Sequence, residues 1–339
     1  MSVSLKQVAL RAKVSTSTAS RVLSGDARAQ IAPETQELVR VAARELGYQP
    51  NEFARSLITG RTNTLGLLIG RLSNPFFASL LQEVEVGADR AGMGVLIESN
   101  ALDAHSYLES GRLTRWPVDG VVMWSHPQDQ LSDFLGARTQ RTPVVYLCDA
   151  PRPDGGFAVH YDLEGGARVL MRHLLGRGYT RPLHLVAYDE PEWLASDARA
   201  RAYDEECARA GVVLRRREAT PSGETRAAGF QSAVQLAREW SSLARGTRPD
   251  VVLCHNDLMA LGATQGFRSC GWRVPDDIAL AGFDGLDEGR WQERELTTMR
   301  IDVPVLASRA VELLIERIRG TAQPTQLHVP CHLVPGATT

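Results

Sequence analysis

Seven short apolar runs constrain this chain more than any other feature of its sequence. They are TLGLLIG (64–70), GVLIES (94–99), GVVMW (120–124), PVVYLC (143–148), PLHLVAY (182–188), DVVLCH (250–255) and IALAGFD (278–284). Continuous rather than alternating runs fit strands buried on both faces. Helical patterns such as 77–91 lie between them, and strand–helix alternation predicts parallel sheets covered by helices. The runs fall into two groups, so residues 62–339 are expected to form two Rossmann-like lobes. The default ligand site of such a pair is the cleft at the carboxyl ends of the strands. With 339 residues, the chain is long enough for a further domain, and it shows no low-complexity segment or short repeat.

The first 61 residues differ in charge and pattern. They carry nine Lys and Arg against five Asp and Glu, a net charge of +4 where the whole chain has −2. A basic head on an acidic body points to a polyanion-binding module joined to something else. The five cysteines form no C-x-x-C pair, and the polar N-terminus has no signal-peptide core. Together these favour a reducing cytoplasm, without a metal site or cofactor. No apolar run reaches the ~18 residues of a membrane span.

Short helices are expected in the head. Leu5, Val8 and Ala9 share one face at helical spacing. Ser15 suits the N-cap of a second helix, 16–23, closed by Gly25. A third helix starts at Pro33, carries a stripe of Leu38, Val41, Ala42 and Leu46, and stops at Gly47. Helix, tight turn, helix is the layout of a helix-turn-helix, whose second helix meets base edges in the major groove. The stretch VSTSTASRVLSG (14–25) fits that task. Thr16, Ser17 and Ser20 are short donors and acceptors that let the helix approach. Arg21 supplies a fork matching guanine O6 and N7, worth roughly 1–3 kcal/mol against a wrong base.

Beyond the head the motifs become more specific. Val8-Ala9, Val14-Ser15, Ser20-Arg21-Val22-Leu23, LGYQPN, ARSL and TGRTNTLG are followed by SNPFF (73–77), VDGVVM (118–123), NDLMALGA (256–263), VPDDIALAGFD (274–284) and LTTMRIDV (296–303). At these spacings, over essentially the whole chain, the sequence resembles the lac-repressor family of bacterial transcription regulators. The resemblance implies an α helix-turn-helix domain (1–50), a hinge helix and linker (51–61), and an α/β effector domain (62–339) like periplasmic sugar-binding proteins. Lobe 1 is expected over 62–160 and 288–323, and lobe 2 over 161–287 and 324–335. It further implies major-groove reading by Thr16, Ser17 and Arg21, and a minor-groove hinge helix bearing Asn51, Ala54 and Leu57, with Leu57 as the wedge between base steps. Arg55 beside it is assigned to sequence-independent DNA contact.

Candidate effector contacts are Ser73 and Phe76 after the first strand, Arg199 in SDARARAY, Trp193 as a stacking face, and Asn256 and Asp284 at two strand ends. Arg, Asn and Asp suit sugar hydroxyls because each forms paired hydrogen bonds. Asp257 reads as a helix N-cap and is set aside. The chain departs from the family pattern at Arg71, where an acid is usual, and at Cys148, Asp162-Leu163 and PGAT (335–338). A cation at Arg71 favours an anionic effector, such as a sugar acid or sugar phosphate. No leucine heptad closes the sequence, so a homodimer is expected. The helix bearing Phe77, Leu80, Leu81, Val84 and Ala88 is assigned to its interface. The implied function is a repressor of double-stranded, pseudo-palindromic operator DNA controlled by a small metabolite, with a sugar or sugar derivative the leading expectation. The alternatives are a regulator answering to a purine or other non-sugar metabolite, and a cytoplasmic sugar-binding protein without gene control. An enzyme is not expected, since G-x-G-x-x-G after the first strand, the P-loop and G-x-S-x-G are all missing.

Overall fold

Polar caps decide where the helices of this chain begin. The computed structural model describes residues 3–23, 30–48, 56, 60–99, 116–124, 142–149, 151–152, 155–187, 197–219 and 225–339. It divides into two units, Met1–Thr62 and Asn63–Thr339.

In the first unit, Ser4 precedes α1 (Leu5–Arg11) and its amide donates to Gln7 Oε1 at 2.8 Å. Lys13 turns the chain with a left-handed φ of 53°. Ser15 then caps α2 (Thr16–Leu23), its Oγ accepting the Thr18 amide at 3.0 Å, as its sequence position predicts. Proline opens α3 (Pro33–Leu46), and Gly47 ends it at φ 65°. Val8, Ala9, Ala12, Ala19, Val22, Val39, Ala42 and Ala43 form the core of this unit. The expected stripe on α3 is therefore corrected. Ala42 and Leu46 of that stripe do face the core, but Leu38 is exposed and Val39 and Ala43 point inward, because contact with α1 and α2 selects the buried face.

The second unit runs β1 (Thr64–Leu68), α4 (Pro75–Arg90), β2 (Gly94–Glu98), β3 (Gly120–Trp124), β4 (Val144–Cys148), β5 (Ala158–Tyr161), α5 (Leu163–Gly176), β6 (Pro182–Val186), α6 (Ala198–Arg209), β7 (Arg215–Glu218) and α7 (Thr225–Trp240). It continues through β8 (Val251–Cys254), α8 (Asp257–Ser269), β9 (Ala279–Asp284), α9 (Asp287–Arg290), β10 (Thr297–Ile301), α10 (Val303–Arg319), β11 (Gln326–Val329) and β12 (Cys331–Val334). The strands make two six-stranded sheets, ordered β11-β5-β4-β3-β1-β2 and β12-β10-β9-β8-β6-β7. Among the described residues, every pairing is parallel except β10 with β12. Strands β1, β3, β4, β6, β8 and β9 coincide with apolar runs and are buried. Strand β2 is half-exposed because it lies at a sheet edge.

The chain passes between the sheets at 161–163, 301–303 and 329–331. This corrects the expected lobe boundaries. Strand β10 lies beside β9 in the second sheet (Thr297↔Ala281), whereas β11 lies beside β5 in the first (Gln326↔Ala158). An aspartate at two of the passages caps the helix that follows: Asp162 accepts the Gly165 amide at 2.8 Å, and Asp302 the Val305 amide at 3.1 Å. A third correction concerns α4. Leu80, Val84 and Ala88 are wholly buried in the chain's own core, and Gly87 lies against Val311 of α10, so this face covers its own lobe instead of waiting for a partner. In the second lobe, α7 and α8 meet backbone to backbone. A Cβ on Gly229, Gly262 or Gly266 would stand 2.2, 1.9 or 2.4 Å from a carbonyl oxygen of the facing helix.

Candidate functional site

The head presents one polar helix face. On α2, Ala19 and Val22 are buried against α1 and α3, which leaves Thr16, Ser17, Ser20 and Arg21 all exposed on the opposite side. This follows from helical spacing, since 16, 17, 20 and 21 share a face while 19 and 22 share another. The hydroxyls and the guanidinium thus project together from a helix seated on two others, the geometry a major-groove reader needs. Asn51, Ala54, Arg55 and Leu57, assigned to the hinge, lie outside the described residues, as does Trp193.

In the second unit the strand ends of the first lobe carry an aromatic cluster. Trp124 ends β3 and stacks on Tyr161, which ends β5, with ring centroids 4.7 Å apart. Phe76 and Phe77, in the first turn of α4, meet Trp124 edge-on at 5.1 and 5.3 Å. Asn74 positions that turn by accepting the Phe76 amide at 3.1 Å, and Gly70 makes room for the Phe77 ring, which a Cβ there would meet at 2.3 Å. Ser73 and Arg71 are exposed in the turn that precedes the helix.

The second lobe contributes charge. Asp284 ends β9, and the Asn74 side chain of the other lobe is near enough to favour its ionised form. Burial, and then the nearby Asp257 charge, hold the Asp284 carboxyl well above the usual carboxylate range. Arg199, in the first turn of α6, is the hub of a buried network. Its Nε and Nη2 donate to the Asp197 carboxylate at 3.0 and 3.1 Å, and its Nη1 donates to the His255 carbonyl at 2.7 Å. Burial alone would raise Asp197; the Arg199 guanidinium, followed by His255, overrides it and keeps this carboxyl well below the usual range. Arg199 also lies over the Phe283 ring at 5.7 Å and lowers the Asp284 carboxyl through its charge. Asn256 is half-buried and commits its oxygen to the Met259 amide at 3.0 Å.

Here the assignment of Asp257 is corrected. Asn256 caps α8, while Asp257 is its first helical residue, wholly buried and pushed up to about 6 by burial. The sequence reading also missed Asn74, Trp124, Tyr161, Asp197 and His255. Each stands at a strand end or helix start next to a residue it named, which was the available signal. The structure thus brings Phe76 and Asp284 together through Asn74, and Arg199 to Asp284 through its charge. Among the described residues, no group of three or more His, Cys, Asp and Glu side chains is arranged to hold a metal ion, and no helix is long and apolar enough to cross a membrane.

Comparison with known proteins agrees with both units. Residues 4–51 match the family model for bacterial regulatory proteins of the lacI family, and residues 171–339 match a periplasmic binding protein-like domain. The HTH-type transcriptional repressor PurR of Photobacterium profundum is 31% identical over 319 residues, covering 93% of this chain and 92% of that protein. Among solved structures, the lac repressor dimer bound to operator and the anti-inducer ONPF superposes with a TM-score of 0.81 at 25% identity, over 100% of this chain and 99% of the other. The complex of the transcriptional regulator CelR with cellobiose gives 0.67 at 27% identity, over 99% and 100%. With a helix-turn-helix head and a two-lobed periplasmic-binding-protein-like body, this chain is a DNA-binding transcriptional regulator, not an enzyme, and belongs to the lacI family of bacterial regulatory proteins.

Proposed function

We propose that this regulator is a repressor that reads a pseudo-palindromic operator as a homodimer and is controlled by a sugar or sugar derivative held between its lobes. The observation that carries the reading is the cleft wall. An aromatic cluster (Phe76, Phe77, Trp124, Tyr161) on the first lobe and a polar set (Asp284, Asn256, Arg199) on the second are linked by Asn74 of the first lobe, which lies near Asp284 of the second. Aromatic faces pack on the apolar face of a pyranose, while carboxyl and amide groups pair with its hydroxyls. Arg71, Ser73 and Trp193 are further effector contacts in this proposal, and Arg71 favours a ligand bearing a carboxylate or phosphate. Cellobiose bound to CelR supports the carbohydrate class.

Thr16, Ser17, Ser20 and Arg21 are the base-reading residues of this proposal; Asn51, Ala54, Arg55 and Leu57 act at the hinge. The operator-bound lac repressor dimer supports the dimeric reading. On lobe 1, Val86 of α4 and Leu96 of β2 are apolar residues left exposed for that contact. The test is a thermal-shift screen of the purified protein against neutral sugars, sugar acids, sugar phosphates and purines. A true effector at 100 times its dissociation constant adds about 2.7 kcal/mol of stability. A purine hit with no sugar hit refutes the carbohydrate reading, and a monomer by light scattering at micromolar concentration refutes the dimer.

A further inference from the structure

Asp257 is wholly buried, yet it does not cap the helix it begins. Its carboxylate faces the loop after β9. Oδ2 accepts the Leu286 amide at 2.7 Å, and Oδ1 accepts the Thr298 hydroxyl of β10 at 2.6 Å. Gly282 makes room for it, since a Cβ there would stand 2.2 Å from Oδ1. The amide so captured belongs to the second residue after Asp284. Asp284 itself has φ 124°, a conformation that side-chain-bearing residues hold only when their surroundings enforce it. Gly285 follows at φ 76°, pressed so close to Arg300 that a Cβ would lie 2.5 Å from the Arg300 Cβ.

We infer that Asp257 is a positioning residue that presents the Asp284 carboxyl to the effector, by tying the Leu286 amide to Thr298 of β10 and so holding the loop that keeps Asp284 in its strained backbone. The inference rests on Asp284 being an effector contact, as proposed above. An ionised carboxylate accepts both donors, one on each oxygen. An asparagine offers one acceptor oxygen and adds an N–H that faces donors. Asp257 is also faced by Glu288 and by Asp284, and Asp284 is faced in turn by Arg199 and Asn74. The charge on Asp257 therefore favours the protonated form of Asp284, which a purely steric support would not do.

The test uses the full-length protein and needs no effector. In Asp257→Asn, hydrogen exchange at Leu286 is expected to quicken about tenfold or more while amides of β6 and β8 keep their rates. The carboxyl-carbon resonance of Asp284, assigned by its loss in Asp284→Asn, is expected to titrate at lower pH in Asp257→Asn than in wild type. Unchanged exchange at Leu286, an unmoved Asp284 midpoint, or uniform acceleration across the second sheet overturns the inference. If Asp257→Asn does not fold, wild type decides. Protection at Leu286, corrected for intrinsic exchange, should fall as pH drops through about 6, where Asp257 gains its proton, and constant protection overturns the inference. The effector reading fails separately, when Asp284→Asn leaves a screening hit's affinity unchanged.

Discussion

Replacing Asp197 should cost the body more stability than almost any other single polar change. Its side chain is 3% exposed and that of its partner Arg199 is 9% exposed. The substitution Asp197→Ala removes both carboxylate acceptors of the guanidinium and leaves a buried cation against Phe283 and the His255 carbonyl. Breaking a buried pair from one side costs about 3–5 kcal/mol. Asp197 also caps α6, accepting the Arg199 amide at 2.9 Å. Losing that cap adds about 1 kcal/mol. Asp197→Asn keeps the cap acceptor and loses the charge, so its cost should sit about 1 kcal/mol lower. Urea unfolding of the body, followed by tryptophan fluorescence, reads these losses as midpoint shifts at constant slope.

The pH dependence follows from the depressed Asp197 carboxyl. Its contribution is fully present above the unfolded value of about 4 and fades as pH falls toward the lower folded value. The gap between wild type and Asp197→Asn should therefore narrow on acidification. Adding Arg199→Met to Asp197→Asn should recover stability by removing a buried cation that has lost the Asp197 charge. A cost for Asp197→Ala below about 1 kcal/mol, or a gap that does not change with pH, would refute the reasoning.

Gly262→Ala drives a Cβ toward the Arg226 carbonyl oxygen, 1.9 Å away, and should cost about 3 kcal/mol in the same unfolding assay, the upper part of the overpacking range. Gly176→Ala, at a helix end with nothing within 4 Å, should be neutral or stabilising by about 0.5–1 kcal/mol. Arg21→Ala should relax operator choice in a binding-site selection, whereas Arg55→Ala should weaken binding on every sequence and flatten its salt dependence; equal loss of specificity from both contradicts the assignment. Arg71→Ala should weaken an anionic effector by about tenfold or more in calorimetric titration and leave a neutral sugar unaffected.

How much of this was legible depends on where the information is stored. The buried strands were readable because an uninterrupted apolar run has few other stable fates, and the head was readable because a hydroxyl-rich, capped helix beside a basic segment is an uncommon pattern. Strand β7, written RRRE, was not readable. An edge strand needs no apolar run, and its arginines are answered by Asp204, Glu239 and the Thr247 carbonyl, which lie far along the chain. Asp197 and Trp124 were missed for the same reason: a cap and a strand-end tryptophan gain their roles only from what other elements place against them.

From the sequence alone, periodicity, caps and motif spacing determined the family, the two-lobed class, the exposed polar face of α2 and the bounds of α2 and α3. These depend on neighbours within a few residues, which the chain order preserves. Only the tertiary structure decided that β10 and β11 exchange lobes, that the apolar face of α4 is spent on α10, and that Asp257 serves the loop of Asp284 in place of its own helix. Each of those outcomes rests on contacts between residues well separated along the chain, whose register is chosen by packing and burial of the whole body rather than by any local preference.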